Sequence, residues 1–377
     1  MGKWEMVRLG DVLEYEQPTK YIVGSTDYNV RYETPVLTAG QSFVLGYTNE
    51  TNNVFTDLPV IIFDDFTTAI KYVDFPFKVK SSAMKILKST AKASIKYLYY
   101  YMCTIKIDTQ LHKRYWISKY ANIQIPLPPL EVQQQIADVL DRANTLIEKR
   151  KAQIAKLDLL IKSQFIEMFG DPVTNPKGWE LELVGNCLFD IVAGWSVDGE
   201  QRERTTNEMA VLKVSAVTQG TFNSNEYKVI DRDTFMKKKI TPQKGDLLFS
   251  RANTRELVGA TCIIHEDYPF LILPDKLWKL KCQSTIHVYY LKYILSHKSV
   301  RNEMSANATG TSGSMYNISM QKLKNISIPL PPFHLQNTFA AFVECVEAQK
   351  ALLQRSLEKL ELNYKSLMQK CFRGEIF

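Results

Sequence analysis

A chain of 377 residues with 45% hydrophobic and 23% charged content has the composition of an ordinary globular protein, with room for two or more cores. No apolar stretch approaches the roughly 20 residues needed to cross a bilayer, so a membrane-spanning protein is not expected. The net charge of +7 fits a polyanionic partner without defining one.

The first block, residues 1–124, opens on Trp4-Glu5-Met6-Val7-Arg8-Leu9-Gly10-Asp11 with no apolar signal core, so no secretory leader is expected. Residues 60–63 have the makings of a short buried strand and residues 96–102 of a short helix. Ile125-Pro126-Leu127-Pro128-Pro129 follows. Its prolines fix φ and push the preceding residue out of the α region, so it reads as the end of an extended strand. Apolar residues then return at helical spacing: Ile136, Leu140, Ala143, Ile147, Ile154, Leu157, Ile161 and Met168. The second block, residues 177–327, opens on Trp179-Glu180-Leu181-Glu182-Leu183-Val184-Gly185-Asn186. It has a strand at residues 246–249 and a helix at 288–295. Ile328-Pro329-Leu330-Pro331-Pro332 ends it, and a helix with Phe339, Val343, Val346, Leu353, Leu357, Leu360, Tyr364, Leu367 and Cys371 comes next.

The chain therefore holds one long segment twice, at a constant offset of 203 residues. Beyond the shared Ile-Pro-Leu-Pro-Pro, the copies keep Gln133/Gln336, Ala137/Ala340, Lys156/Lys359, Leu157/Leu360, Leu159/Leu362, Lys162/Lys365, Ser163/Ser366 and Phe169/Phe372. Such a duplication implies pseudo-two-fold architecture and a partner of matching near-symmetry. The apolar positions repeat every seven residues over about five heptads, as in a coiled-coil seam. At 1.5 Å per residue each helix would be roughly 60 Å long. Two seam positions break the symmetry: Arg150 stands opposite Leu353 in the alignment, and Lys350 opposite Ile147. They either set register between the helices or are locally solvated. The block openings match at an offset of 175, while the block interiors show little similarity. The positive charge lies in the blocks: 15 basic against 12 acidic residues in 1–124 and 20 against 16 in 177–327.

Catalytic motifs are missing from the sequence. There is no phosphate-binding GxxxxGK[ST] loop and no (Asn/Asp)-Pro-Pro-aromatic motif of amino-methyltransferases, and the five histidines lack triad or metal spacing. Asp64-Asp65 is a turn or cap in preference to a metal site. The six cysteines have no Cys-x-x-Cys spacing, which favours free thiols in a reducing cytosol.

Two unlike blocks, each opened by Trp-Glu-x-x-x-(Leu/Val)-Gly and closed by Ile-Pro-Leu-Pro-Pro, a Gln and a heptad helix, resemble the specificity subunit of type I restriction-modification systems. The resemblance covers nearly the whole chain and extends to residues 35–40, 62–68, 245–254 and 256–259. It implies an α/β fold with two target recognition domains, residues 1–124 and 177–327. Two long helices, in residues 125–176 and 328–377, would separate them, packed as an antiparallel coiled coil. It implies a noncatalytic chain that reads a bipartite double-stranded DNA site. Two methyltransferase subunits and restriction translocase-nuclease subunits would assemble on its helices. S-adenosylmethionine would belong to the methyltransferase, ATP and magnesium to the restriction partner, and no cofactor to this chain. The setting would be the cytoplasm of a bacterium or archaeon, with no membrane partner. Alternatives are a recognition chain of a related type II system, an adenine methyltransferase in its own right, and a coiled-coil interaction protein without DNA function.

Arg pairs bidentately with guanine, Asn with adenine, and Thr serves base or phosphate. On that basis Arg251, Asn253, Thr254 and Arg255 are the candidate DNA contacts of the second block, the alternative being a surface loop with one structural Arg. Lys237 and Lys238 form a phosphate-facing or merely solvated edge. Thr67, Thr68, Lys71 and Lys78 make the comparable patch of the first block, with Lys113 and Arg114 near its exit. Trp116 there either stacks on a base or belongs to the core. Residues 307–314 read as a polar loop approaching DNA, and Trp4 and Trp179 as core anchors. The helix–helix seam is assigned to Ile136, Leu140, Ile147, Leu157, Ile161, Phe339, Val343, Leu353, Leu360 and Tyr364.

Overall fold

The computed structural model describes residues 4–38, 42–107, 114–231, 233–310 and 315–377. Two compact units divide the chain, residues 1–152 with 354–377 and residues 153–353. The division falls inside both long helices, Leu130–Phe169 and Phe333–Arg373, so each unit holds one part of each.

The duplicated motifs meet within each unit. In the first, Glu5–Arg8 pairs antiparallel with Gln124–Leu127, placing Val7 opposite Ile125. In the second, Leu181–Leu183 pairs with Ser327–Pro329, placing Glu182 opposite Ile328. Prolines are tolerated because each ribbon has only two strands and leaves an edge free of ladder bonds. The glycine of the opening motif is needed for close approach. A Cβ on Gly10 would sit 3.0 Å from Ala121, and one on Gly185 3.0 Å from Lys324.

The interiors share a topology that their sequences do not display. Four antiparallel strands run in the order Leu13–Glu16, Met84–Ser89, Val60–Asp64, Ile70–Val73 in the first unit. The second repeats this order as Leu188–Ala193, Leu277–Cys282, Leu247–Ser250, Thr261–Ile263. A smaller mixed sheet accompanies each. It is Val44–Thr48, Thr34–Leu37, Lys78–Val79 in one unit and Tyr227–Val229, Ala210–Leu212, Leu271–Ile272 in the other. The second unit adds a three-stranded sheet in which Tyr316–Asn317 lies between Ala252–Asn253 and Thr309–Gly310. The polar run at 307–314 is accordingly not all loop: Asn307 ends a helix begun at Lys298 and Thr309–Gly310 is strand. Residues 311–314 lie outside the described residues, as do Ala39, Gly40 and Lys113.

The short helices fall where expected, at Ile95–Met102 and Val288–Ser296, and the shared glutamine locks each to its long helix. Gln133 accepts from Ser94 N–H at 2.8 Å and donates to Pro128 O at 2.7 Å and Lys92 O at 3.3 Å. Gln336 does the same with His287 N–H, Pro331 O and Thr285 O at 2.8, 2.8 and 3.3 Å. Both glutamines are fully buried. Tyr97 and Tyr290 complete the joint, each donating its hydroxyl at 2.6 Å to the carbonyl of Pro126 or Pro329.

Within each unit the two helix portions run antiparallel. In the first, Lys151 lies 3.6 Å from Glu361, while Ile136 and Leu140 share a core with Cys371. In the second, Lys350 lies 2.5 Å from Asp158, while Phe165 packs on Phe339 at 5.5 Å. Of the expected seam residues, Ile136, Leu140, Ile147, Ile161, Phe339 and Val343 are buried. Leu157, Leu353, Leu360 and Tyr364 are half-buried. Lys350 occupies a seam position with its side chain 12% exposed, neutralised by Asp158 and by Glu347 at 3.2 Å. Trp4 is partly buried against the first core. Trp179 donates its indole N–H to Phe169 O at 3.1 Å, tying the second block to the end of the first helix.

Candidate nucleic-acid interface

Some of the candidate residues of each unit gather at one topological place, at or beside the loop after the third strand in sheet order. In the first unit this is the turn after Val60–Asp64. Asp64 organises it by accepting from Phe66 N–H at 2.8 Å and from the Thr67 hydroxyl at 2.7 Å, and Thr68 takes φ +61°. Thr67 and Lys71 are exposed and Thr68 half-exposed. Arg114, remote in sequence, joins this turn. Its neighbours Tyr115 and Trp116 donate their backbone N–H groups to Asp65, to the carbonyl at 3.0 Å and the carboxylate at 2.8 Å.

In the second unit the loop after Leu247–Ser250 carries Asn253, half-exposed, and Thr254 and Arg255, exposed. Strand pairing places Tyr316 opposite Asn253, with Thr309–Gly310 on the other side of Tyr316–Asn317. Lys237 and Lys238 are exposed elsewhere on the unit, Lys237 lying 5.8 Å from the Trp195 ring.

The two loops superpose by register. Phe63 faces Lys85 across the sheet, and Phe249 faces Trp278. Counting from these anchors, Asp65 corresponds to Arg251, Thr67 to Asn253 and Thr68 to Thr254. The backbone follows suit: the carbonyl of Asp65 accepts from Tyr115 N–H and that of Arg251 from Ile318 N–H at 2.9 Å. The supporting pair is exchanged as a pair. Asp65 lies 3.5 Å from the Lys85 ammonium, and at the matching position Arg251 lies 5.7 Å from the Trp278 ring. Arg251 is half-buried with its Nε enclosed. It sits beneath the loop, whereas Asn253, Thr254 and Arg255 lie on it.

Lys78 and Asp65 have positions that sequence reasoning does not foresee, while Trp116 takes the core position that it favours. Lys78 is buried, 2% exposed, bound to Glu50 at 2.8 Å and donating to Asn52 O at 2.9 Å. That ammonium holds Glu50 below the usual carboxylate range, and the lysine is committed to the fold, not to a surface patch. Trp116 is core, edge-on to Phe63 at 5.5 Å. Asp65 is buried and serves as a joint. All six cysteines are free, and among the described residues no His, Cys, Asp or Glu group could hold a metal ion. No described helix is long and apolar enough to cross a membrane.

Two like frames bearing unlike loops at matched positions define a double-headed recognition protein. The comparisons with known proteins specify the kind. The model of the type I restriction modification DNA specificity domain matches residues 1–157 and 197–362, and the chain belongs to that family. It is 30% identical over 356 residues to the EcoR124I/EcoR124II type I specificity subunit of Escherichia coli, covering 90% of this chain and 86% of that one. The MjaVIII specificity subunit of Methanocaldococcus jannaschii is 24% identical, covering 99% and 93%. The fold resembles the crystal structure of the type I S subunit from M. genitalium, with TM-score 0.57 and 13% identity over 98% of this chain and 96% of that one. A chain from a study of complex assembly of the type I R-M system gives TM-score 0.52 and 19% identity, covering 100% and 98%. As a specificity subunit it is a noncatalytic DNA-recognition chain.

Proposed function

We propose that this chain reads a bipartite, asymmetric double-stranded DNA site and carries the methyltransferase and restriction subunits of its complex. Residues 1–124 and 177–327 are the recognition domains, and residues 125–176 and 328–377 are the spacer helices. The observation that carries the reading is the substitution of Thr67 and Ala69 by Asn253 and Arg255 at matched places on matched frames. Equal loops would read a palindrome; unequal loops read unlike half-sites. Base edges fall to the loop residues, and exposed lysines such as Lys71, Lys237 and Lys238 contact phosphates, which makes affinity fall steeply with salt. S-adenosylmethionine is held by the methyltransferase, ATP and magnesium by the restriction subunit, and the complex works in the cytoplasm where its DNA is. Asn253→Ala and Arg255→Ala are each expected to cost about 1–3 kcal/mol of discrimination at the half-site of the second unit alone. Mapping of methylated bases checks this. A uniform fall over all sequences would make both residues phosphate contacts.

The docking surface is read from apolar residues that the seam does not use. Leu159 and its copy Leu362 are 62% and 68% exposed, and Leu130 and its copy Phe333 are 52% and 43% exposed. Outward apolar side chains repeated at the offset of the duplication suit two copies of one partner. Native mass spectrometry of the complex is expected to show one methyltransferase lost with Leu159→Asp, one with Leu362→Asp, and both with the double variant. Retention of two copies by the double variant would place the docking surface elsewhere.

A further inference from the structure

The second unit contains a cavity of about 570 Å³ whose lining comes entirely from residues 153–353. One wall is helical, with Lys162, Phe165 and the Lys350–Asp158–Glu347 cluster; the others are the Lys292–Arg301 segment and the polar loop 218–221. Lys350 is neutralised by its two carboxylates. Lys162, Lys292, Lys298 and Arg301 remain. Against the one negative charge left over from the cluster they give the cavity a net charge of about +3 with Lys292 protonated.

Lys292 is the unusual member. Its ammonium enters no hydrogen bond or ion pair among the described residues and rests 3.9 Å from the Tyr293 ring centroid. Burial pushes its pKa down to about 8 despite the nearby Glu347. Lys292 is half-buried and lines the cavity, and an anion bound there would offset the cost that burial puts on its charged form. The half-buried His297 ring also lines the cavity, backed by the buried Phe165, which stacks on it with rings 6.3 Å apart. The hydroxyls of Thr261 and Ser296, 2.8 Å apart, also line the cavity. The residues that mark this cavity are not repeated in the first unit. Where the glutamine joints are aligned, Tyr99 stands at the position of Lys292, and Ile147 stands at that of Lys350.

We infer that this cavity binds a phosphate group carried by a nucleotide-sized ligand, with the Lys292 ammonium on the phosphate and the His297 ring against the base. The volume is in the range of small-molecule sites. The phosphate comes either from a free nucleotide or from a strand of DNA, and only the second source depends on the DNA reading given above.

The test is calorimetric titration of the full chain with inorganic phosphate, with AMP and with a duplex oligonucleotide, all at one ionic strength. AMP is expected to bind the wild type more tightly than inorganic phosphate. Lys292→Met is expected to weaken AMP by about ten- to hundredfold, the worth of a charge-assisted hydrogen bond, while Lys292→Arg retains it. If AMP and phosphate do not bind but Lys292→Met weakens the duplex by a similar factor, the phosphate is that of DNA. Unchanged affinities in Lys292→Met for every probe, with the variant melting as the wild type does, would overturn the inference. So would absence of binding by all three probes. Altered half-site preference in Asn253→Ala with unaltered AMP binding separates failure of either reading from failure of the other.

Discussion

Phe339→Ala is expected to destabilise the second unit by about 3–5 kcal/mol, the cost of an aromatic deleted from a filled core. Phe339 is fully buried, with ring contacts to Phe165 and Phe169 at 5.5 Å and to Tyr293 at 5.4 Å. These rings join the recognition block, through its Val288–Ser296 helix, to both long helices. Phe165 and Phe169 also contact Tyr290, at 5.7 and 4.9 Å, which restrains them from moving into the space. Hydrogen exchange of the 288–296 amides reports the opening energy directly. A loss below about 1 kcal/mol would mean that the aromatic cluster does not hold the joint.

Gln133→Ala is expected to cost the first unit about 2–4 kcal/mol, since truncation leaves one buried N–H and two carbonyls without partners. Gln336→Ala should do the same in the second unit, because the bonds there have nearly identical lengths. Glutamate is an informative replacement. It can still accept from Ser94 or His287 N–H, but when ionised it presents an oxygen to the proline carbonyl in place of a donor. Gln133→Glu is therefore expected to be no better than Gln133→Ala. Exchange protection at Ser94 in the first unit and His287 in the second reads the result. A Gln133→Glu variant as stable as the wild type would show that the carbonyl contacts carry little.

The frame and the helices were legible in the sequence because their signals are local. Paired prolines mark the strand end, and a seven-residue period marks the seam. Gln133 and Gln336 stood out as identities, but their role did not, since Ser94 and Lys92 lie 39 and 41 residues away. The common strand order of the block interiors was hidden for a related reason. Asp65 and Lys85 become Arg251 and Trp278 together, so contact is kept while residue type is lost at both ends. Lys78 reads as solvated from its residue type although Phe75, Pro76, Phe77 and Val79 flank it, and its partner Glu50 is 28 residues away in sequence. Trp116 reads as core in preference to stacking on a base, and its contact with Phe63 places it there. Of the candidate interface, Thr67 and Thr68 lie on the loop of the first unit with Lys71 on the strand that follows, Asn253, Thr254 and Arg255 lie at the matched place of the second, and Arg251 lies beneath its loop.

Methylated-base sequencing of DNA from cells expressing this chain with its methyltransferase tests the central claim most directly. The expected site has two short defined segments, different from each other and separated by bases of no fixed identity. An uninterrupted site, or two identical segments in inverted order, would contradict the reading of two unlike recognition loops on duplicated frames.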